Sequence, residues 1–204
     1  MLDYRHILGR YDRIVSVGMF EHVGITHYRE FFATIRRLLA NDGIALIHAI
    51  GRSDGPNVTN PWLARHIFPG GYSPALSEVF AAIEYSRLIA ADCEILRLHY
   101  AETLRHWRRR FAANRDAIAA LYDERFCRMF DLYLTGSEMT FRRLGHVVWQ
   151  LQLAARHEAV PLTRDYMFAN ERAGGAQLAG PDLTATAGSR TRATPPTLSR
   201  DTRR

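Results

Sequence analysis

Residues 11–24 read YDRIVSVGMFEHVG, and the fold follows from how that stretch divides. An acidic turn, Tyr11-Asp12, leads into a short run at residues 13–17 in which Ile14, Val15 and Val17 are apolar. A continuous run of that kind suits a strand buried on both faces of a parallel sheet. Gly18 ends the run, and Glu21 and His22 stand just past it. In open α/β sheets, ligands bind outside the carboxyl ends of the strands, so a Glu and a His there stand where chemistry is usually done.

Downstream, residues 27–40 place Tyr28, Phe31, Phe32, Ile35, Leu38 and Leu39 at helical spacing, with Thr26 as the expected N-cap. Asn41-Asp42-Gly43 is expected to end that helix with a residue at φ > 0. Residues 44–50, IALIHAI, read as a second strand that is apolar except for His48. Strand, helix and strand at this spacing make a βαβ unit with parallel strands.

The stretch 51–73 is rich in Gly, Pro and Asn, and a loop of that length is expected to act as a lid or binding loop. Ser73-Pro74 reads as an N-cap and first helical position for a helix over 74–87, and 93–99 as a strand. Helices over 101–113 and 122–143 and a last strand over 146–154 follow. From about residue 170 the composition turns to Gly, Ala, Thr, Pro, Ser and Arg, and that tail is expected to be disordered.

The chain has 204 residues, 47% hydrophobic and 24% charged, which is ordinary for a globular domain with a real core. No apolar run approaches the length of a membrane-spanning helix, and MLDYRHILGR lacks the apolar centre of a signal peptide. Cys93 and Cys127 form no metal-like spacing and no disulfide framework, which fits a reducing cytoplasm. The net charge of +6 comes from Arg, since the chain has no Lys. It suits anionic partners, but no motif supports nucleic-acid binding.

Five stretches in order carry a family resemblance: YDRIVSVGMFEHVG, IALIHAIG, PWLARHIFPGGYSP, HYAETLRHW and YDERFCRMFDLYL. Over about residues 2–155 the chain resembles the cyclopropane-fatty-acyl-phospholipid synthases, which are S-adenosylmethionine-dependent enzymes with the Rossmann-like methyltransferase fold. The resemblance implies an α/β domain on the second half of that sheet at residues 1–155, a helical lid or insertion, a short extension at 156–169 and the tail at 170–204. About four strands are expected, the last antiparallel to its neighbours.

The implied reaction is methylene transfer from S-adenosylmethionine to a cis double bond in a phospholipid acyl chain. The alkene attacks the sulfonium methyl, a base removes a proton from the added carbon, and the ring closes. In this family the base is a bicarbonate ion. Its ligands map by resemblance onto Glu21, His48, Ile50 (through its backbone) and Tyr100, and cofactor contacts map onto Asp3 and Tyr4. These residues have simpler readings too: Glu21 as a helix cap or ion-pair partner, His48 as a core histidine, Tyr100 as a core aromatic. The reading requires Glu21, His48 and Tyr100 to converge on one cavity.

The family's glycine-rich loop, the acidic residue that holds the ribose, and the amino-terminal helical region with its cysteine have no counterpart in this sequence. The chain is therefore expected to bind S-adenosylmethionine weakly by itself and to expose the edge of its first strand. The implied partners are phospholipid acyl chains at the membrane surface, and either a separately supplied amino-terminal half or a second copy of the chain. The implied location is cytoplasmic, peripheral at the inner membrane surface. Two alternatives stay open: a non-catalytic remnant or lipid-surface binding module, and a methyltransferase with an amine acceptor.

Overall fold

A computed structural model describes residues 2–178. The described residues up to Val160 form one compact unit, and those from Pro161 to 178 belong to a second. The first unit is built on a four-stranded sheet in the order β1-β2-β4-β3, with β1 at Tyr11–Val17, β2 at Leu39–Arg52, β3 at Ile89–Leu96 and β4 at His146–Ala154. β1 and β2 run parallel, and β4 runs antiparallel to both β2 and β3, as expected for the last strand.

Helices α1 (Tyr28–Leu38) and α3 (Leu76–Ser86) cover one face of this sheet. Phe31, Phe32 and Ile35 of α1 and Val79 and Ile83 of α3 pack with Ala45, Ile47 and Ala49 of β2 and with Trp149, Leu151 and Leu153 of β4. The alternation along β2 puts Leu46, His48 and Ile50 on the opposite face. There, at the carboxyl end of β2, Ile50, Val148 and Leu96 meet a second core from α4 (His99–Ala113) and α6 (Glu124–Arg143). Two shorter helices complete the unit: α2 at Pro61–His66 and α5 at Arg115–Leu121.

Several sequence-based boundaries shift, each for a local reason. β1 is not buried on both faces. It is the edge strand with one neighbour, and Val15 and Val17 are 65% and 63% exposed, while Ile14 packs into the core beneath. His27, not Thr26, precedes α1, because Ile25–His27 forms a 3-10 turn that runs into the helix. α1 ends at Leu38 and Leu39 already pairs with Tyr11, so Asn41-Asp42-Gly43 lies inside β2 and Gly43 is not at positive φ. Ala75, not Ser73, precedes α3, where the Glu78 carboxylate accepts the Ala75 N–H at 2.8 Å. β3 starts at Ile89 and stops at Leu96, so His99 opens a helix rather than closing a strand.

In the second unit α7 spans Asp165–Leu178, so the first part of the expected disordered tail is helical. The remainder of that tail lies outside the described residues.

Candidate functional site

The site begins with a mismatch in strand length. β1 ends at Val17, opposite His48, while β2 runs on to Arg52. The Gly18 N–H still donates to the His48 carbonyl at 3.0 Å, and Gly18 then turns the chain away with φ at +64°. The next amide of β2 on that side, Ile50 N–H, has no strand to pair with. Glu21 replaces the strand, with its Oε1 accepting the Ile50 N–H at 2.7 Å.

The turn that carries Glu21, Phe20–His22, is fixed from below. Phe20 is fully buried, stacked on Tyr28 at 4.4 Å and edge-on to Trp149 at 5.8 Å. From above, the Tyr72 N–H donates to the Glu21 carbonyl at 2.9 Å, which ties the turn to the end of the 51–73 loop. Glu21 is thus held by both its backbone and one carboxylate oxygen. The other oxygen, Oε2, is buried and has no hydrogen-bond partner. A buried, unpartnered carboxylate oxygen is costly, so it marks a place where a ligand donor is wanted.

Glu21 and Ile50 line a cavity of about 690 Å³, and Tyr100 lines it as well. Tyr100 is the second residue of α4, with its ring 5.1 Å from Phe141 and 5.9 Å from Trp107. Burial, and then the Glu21 carboxylate, push its phenol pKa up, so Tyr100 stays protonated and able to donate at neutral pH. Tyr133, also on the wall, is pushed up to about 12 by burial and then by Tyr100. The remaining wall comes from the loop, which supplies Val58, Trp62, Leu63 and Phe68, and from α6, which supplies Leu132 and Phe141. The expectation that this loop forms a binding wall agrees with its position. Its conformation is fixed by Asn60, whose side chain caps α2 at Trp62 N (2.9 Å), and by Thr59, which donates to the Gly71 carbonyl at 2.7 Å.

The other sequence-predicted residues stand apart from this cavity. His48 is half-buried on β2, paired across the sheet with Val17 and Gln150, and is not among the cavity-lining residues. It lies two residues before Ile50 on the same face, roughly 7 Å along the strand. Asp3 and Tyr4 lie in the amino-terminal turn and do not line the cavity either. Both Asp3 carboxylate oxygens bind Arg5, which holds that carboxyl well below the usual range. Tyr4 packs edge-on against Phe31 at 5.5 Å. Asp3 and Tyr4 therefore stand outside this cavity, with the Asp3 carboxylate engaged by Arg5. The cavity residues do fit a small hydrogen-bonding anion, with Glu21 Oε2 as acceptor for its O–H and Tyr100 as donor.

Sequence reasoning missed a second polar group on the cavity wall. Arg52 and His146 are cross-strand partners at the mouth, on the same face as Ile50. Arg52 is 8% exposed and its guanidinium binds Asp54 through two hydrogen bonds, at 2.7 and 2.8 Å. His146 Nδ1 is buried and unpartnered. Burial, and then the Arg52 charge, push the His146 pKa down, with Asp54 opposing. Arg52 stood two residues past the expected strand end, and His146 was read only as the start of a strand.

The sheet, its covering helices and a cavity at the carboxyl ends of the strands define a Rossmann-like methyltransferase domain. Solved structures agree. The cyclopropane synthase MmaA2 from Mycobacterium tuberculosis superposes with a TM-score of 0.68 at 29% identity, over 74% of this chain and 57% of that one. The mycolic acid cyclopropane synthase CmaA1, complexed with SAH and CTAB, gives 0.67 at 30% identity with the same coverage. The family model described as Mycolic acid cyclopropane synthetase matches residues 1–151, and the chain belongs to that family of S-adenosylmethionine-dependent methyltransferases. The Cyclopropane-fatty-acyl-phospholipid synthase of Escherichia coli K12 is 39% identical over 149 residues, covering 73% of this chain and 39% of that protein. The Tuberculostearic acid methyltransferase UfaA1 of M. tuberculosis is 40% identical over 148 residues, covering 70% of this chain and 35% of that one. The chain thus spans less than half the length of these curated relatives. Among the described residues, no helix is long and apolar enough to cross a membrane.

Proposed function

We propose that this chain supplies the base-holding and acyl-chain-binding part of a cyclopropane-fatty-acyl-phospholipid synthase. The reaction is methylene transfer from S-adenosylmethionine to the cis double bond of a phospholipid acyl chain, at the cytoplasmic face of the inner membrane. The observation that carries this reading is Glu21: one oxygen fixed by the Ile50 amide, the other buried and unpartnered in a largely apolar cavity that Tyr100 also lines.

Glu21 Oε2 and the Tyr100 hydroxyl would hold a bicarbonate ion, which supplies a base in a site kept dry, while the Ile50 amide fixes Glu21 rather than the ion. Glu21 accepts and Tyr100 donates, so the pair orients a small anion without neutralising it. His48 does not line the cavity, so of the three residues expected to converge only Glu21 and Tyr100 meet there. The apolar wall of Leu63, Phe68, Leu132 and Phe141 excludes water from the acyl chain. Asp3 and Tyr4 by themselves do not make a cofactor site, so activity would depend on groups beyond those described.

A second reading, a lipid-binding module without catalysis, is favoured by the engagement of both Asp3 oxygens with Arg5. A chimera separates the two. The matching 149 residues of the E. coli relative are replaced by those of this chain, and phospholipid acyl chains are analysed by gas chromatography and mass spectrometry. Cyclopropane product that disappears with Glu21→Gln supports catalysis. A folded chimera that binds S-adenosylmethionine but makes no product refutes it.

A further inference from the structure

Beside the main cavity lies a second cleft of about 260 Å³ between α2 and α6, lined by Trp62, His66, Arg125, Arg128, Met129 and Leu132. Arg125, Arg128, Met129 and Leu132 fall at helical spacings of three and four, so they share one face of α6. Trp62 and Leu132 line both cavities, so the cleft adjoins the larger one. No carboxylate lines it. Among the described residues Arg125 has no ion-pair partner. Arg128 has only Glu124 at 4.0 Å, and that carboxylate is already taken by Arg115.

The surroundings point the same way. At the shared wall Leu132 is 59% exposed, and Val58, on the wall of the main cavity, is 81% exposed. Exposed apolar side chains beside a guanidinium with no ion-pair partner, a second that shares Glu124 with Arg115, and a tryptophan make an interfacial surface, apolar enough to enter a bilayer and cationic enough to seek its phosphates.

Resting on the reading of the main cavity as an acyl-chain site, we propose that this cleft binds the headgroup phosphate of a bilayer phospholipid. Arg125 and Arg128 engage the phosphodiester, Trp62 and Leu132 seat at the level of the glycerol backbone, and an acyl chain passes from there into the adjoining cavity. Arginine suits the task because its planar donors match phosphate oxygens. Charge complementarity and continuity of the two cavities favour a lipid over any other occupant.

The test is co-sedimentation of the full chain with vesicles of phosphatidylcholine with and without about one-third phosphatidylglycerol, enough to give the surface a strong negative potential. No cofactor or turnover is needed, so the result is independent of whether the chimera makes product. The Arg125→Gln, Arg128→Gln double variant is expected to bind the anionic vesicles about thirty-fold more weakly. Arg109→Gln with Arg110→Gln removes equal charge from α4 and is expected to change binding by less than about three-fold. Trp62→Ala is expected to weaken binding to both kinds of vesicle. Equal losses from the two arginine pairs would mean diffuse attraction and overturn the proposal. Unchanged binding by the Arg125/Arg128 variant, or undetectable binding by the wild type, overturns it as well.

Discussion

Replacing Gly51 with alanine tests the join on which the site is built. Gly51 lies between Ile50, whose amide holds Glu21, and Arg52, whose amide donates to the Pro74 carbonyl at 3.0 Å. A Cβ at Gly51 would sit 2.1 Å from Trp149 Nε1, 2.7 Å from Trp149 Cδ1 and 2.5 Å from the Pro74 carbonyl oxygen. Trp149 cannot yield freely, because it is fully buried with its ring against Phe20 at 5.8 Å. Moving Pro74 breaks its bond with Arg52. Overpacking of a tight core costs about 1–3 kcal/mol and a lost backbone hydrogen bond about 1 kcal/mol. The lower chain entropy of alanine returns roughly 0.5–1 kcal/mol. The expected net loss is about 2 kcal/mol, and about 4–8 °C in Tm for a domain of this size. Urea unfolding followed by tryptophan fluorescence reads it directly. At a slope of about 2 kcal/mol per molar, the midpoint should fall by roughly 1 M. A shift below about 0.5 M would refute the close packing of β2 on Trp149, and with it the argument for how Ile50 is placed.

Two further perturbations probe the mouth of the cavity and the sheet edge. The folded-state pKa of His146 is pushed down, so below about pH 6.5 the unfolded chain binds a proton that the folded chain refuses. Stability therefore falls as pH drops through that value toward the lower folded pKa. His146→Asn should flatten this part of the urea-midpoint profile between about pH 7 and about pH 5, and an unchanged profile would show that His146 titrates normally. Val17→Lys places a charge on the exposed edge strand and should reduce self-association measured by light scattering after size exclusion. Equal association by both proteins would mean that β1 is not the contact.

What the sequence made legible, and what it hid, divides along a physical line. Residues 146–154 became β4 without a shift: Trp149-Gln150-Leu151-Gln152-Leu153 alternates, and the apolar run at 147–149 is buried on both faces of a central strand. β1 misled, because its apolar run fixes a strand but not the number of neighbours it has. Val15 and Val17 are as apolar as central-strand residues, and only the sheet order reveals that they face solvent. The boundary at residues 39–43 misled because Asn-Asp-Gly is turn chemistry, whereas pairing of Leu39 with Tyr11 across the sheet outweighs that preference. The same limit applies at the site. Glu21 and Tyr100 were found through motif resemblance, but the Arg52–His146 pair depends on a strand register that spans 94 positions of chain.

Ile50 is where local geometry and family resemblance meet. Resemblance assigned it a role through its backbone, which no side-chain property of isoleucine explains. The strand lengths explain the backbone bond that is seen, from the Ile50 amide to Glu21. β2 outruns β1 by four residues, from His48 to Arg52, so an amide on the open side must find a non-strand acceptor. A carboxylate three residues past Gly18 is placed to be that acceptor. Because the bond occupies only Oε1, Oε2 is left buried and without a partner in a residue that lines the cavity. The arrangement thus builds rigidity and an unsatisfied acceptor from a single residue. A glutamate serving only as a cap would have both oxygens paired or solvated. A freely titrating catalytic carboxylate would not be pinned by a 2.7 Å bond. The proposed task, holding a small basic anion in register, would use both properties at once.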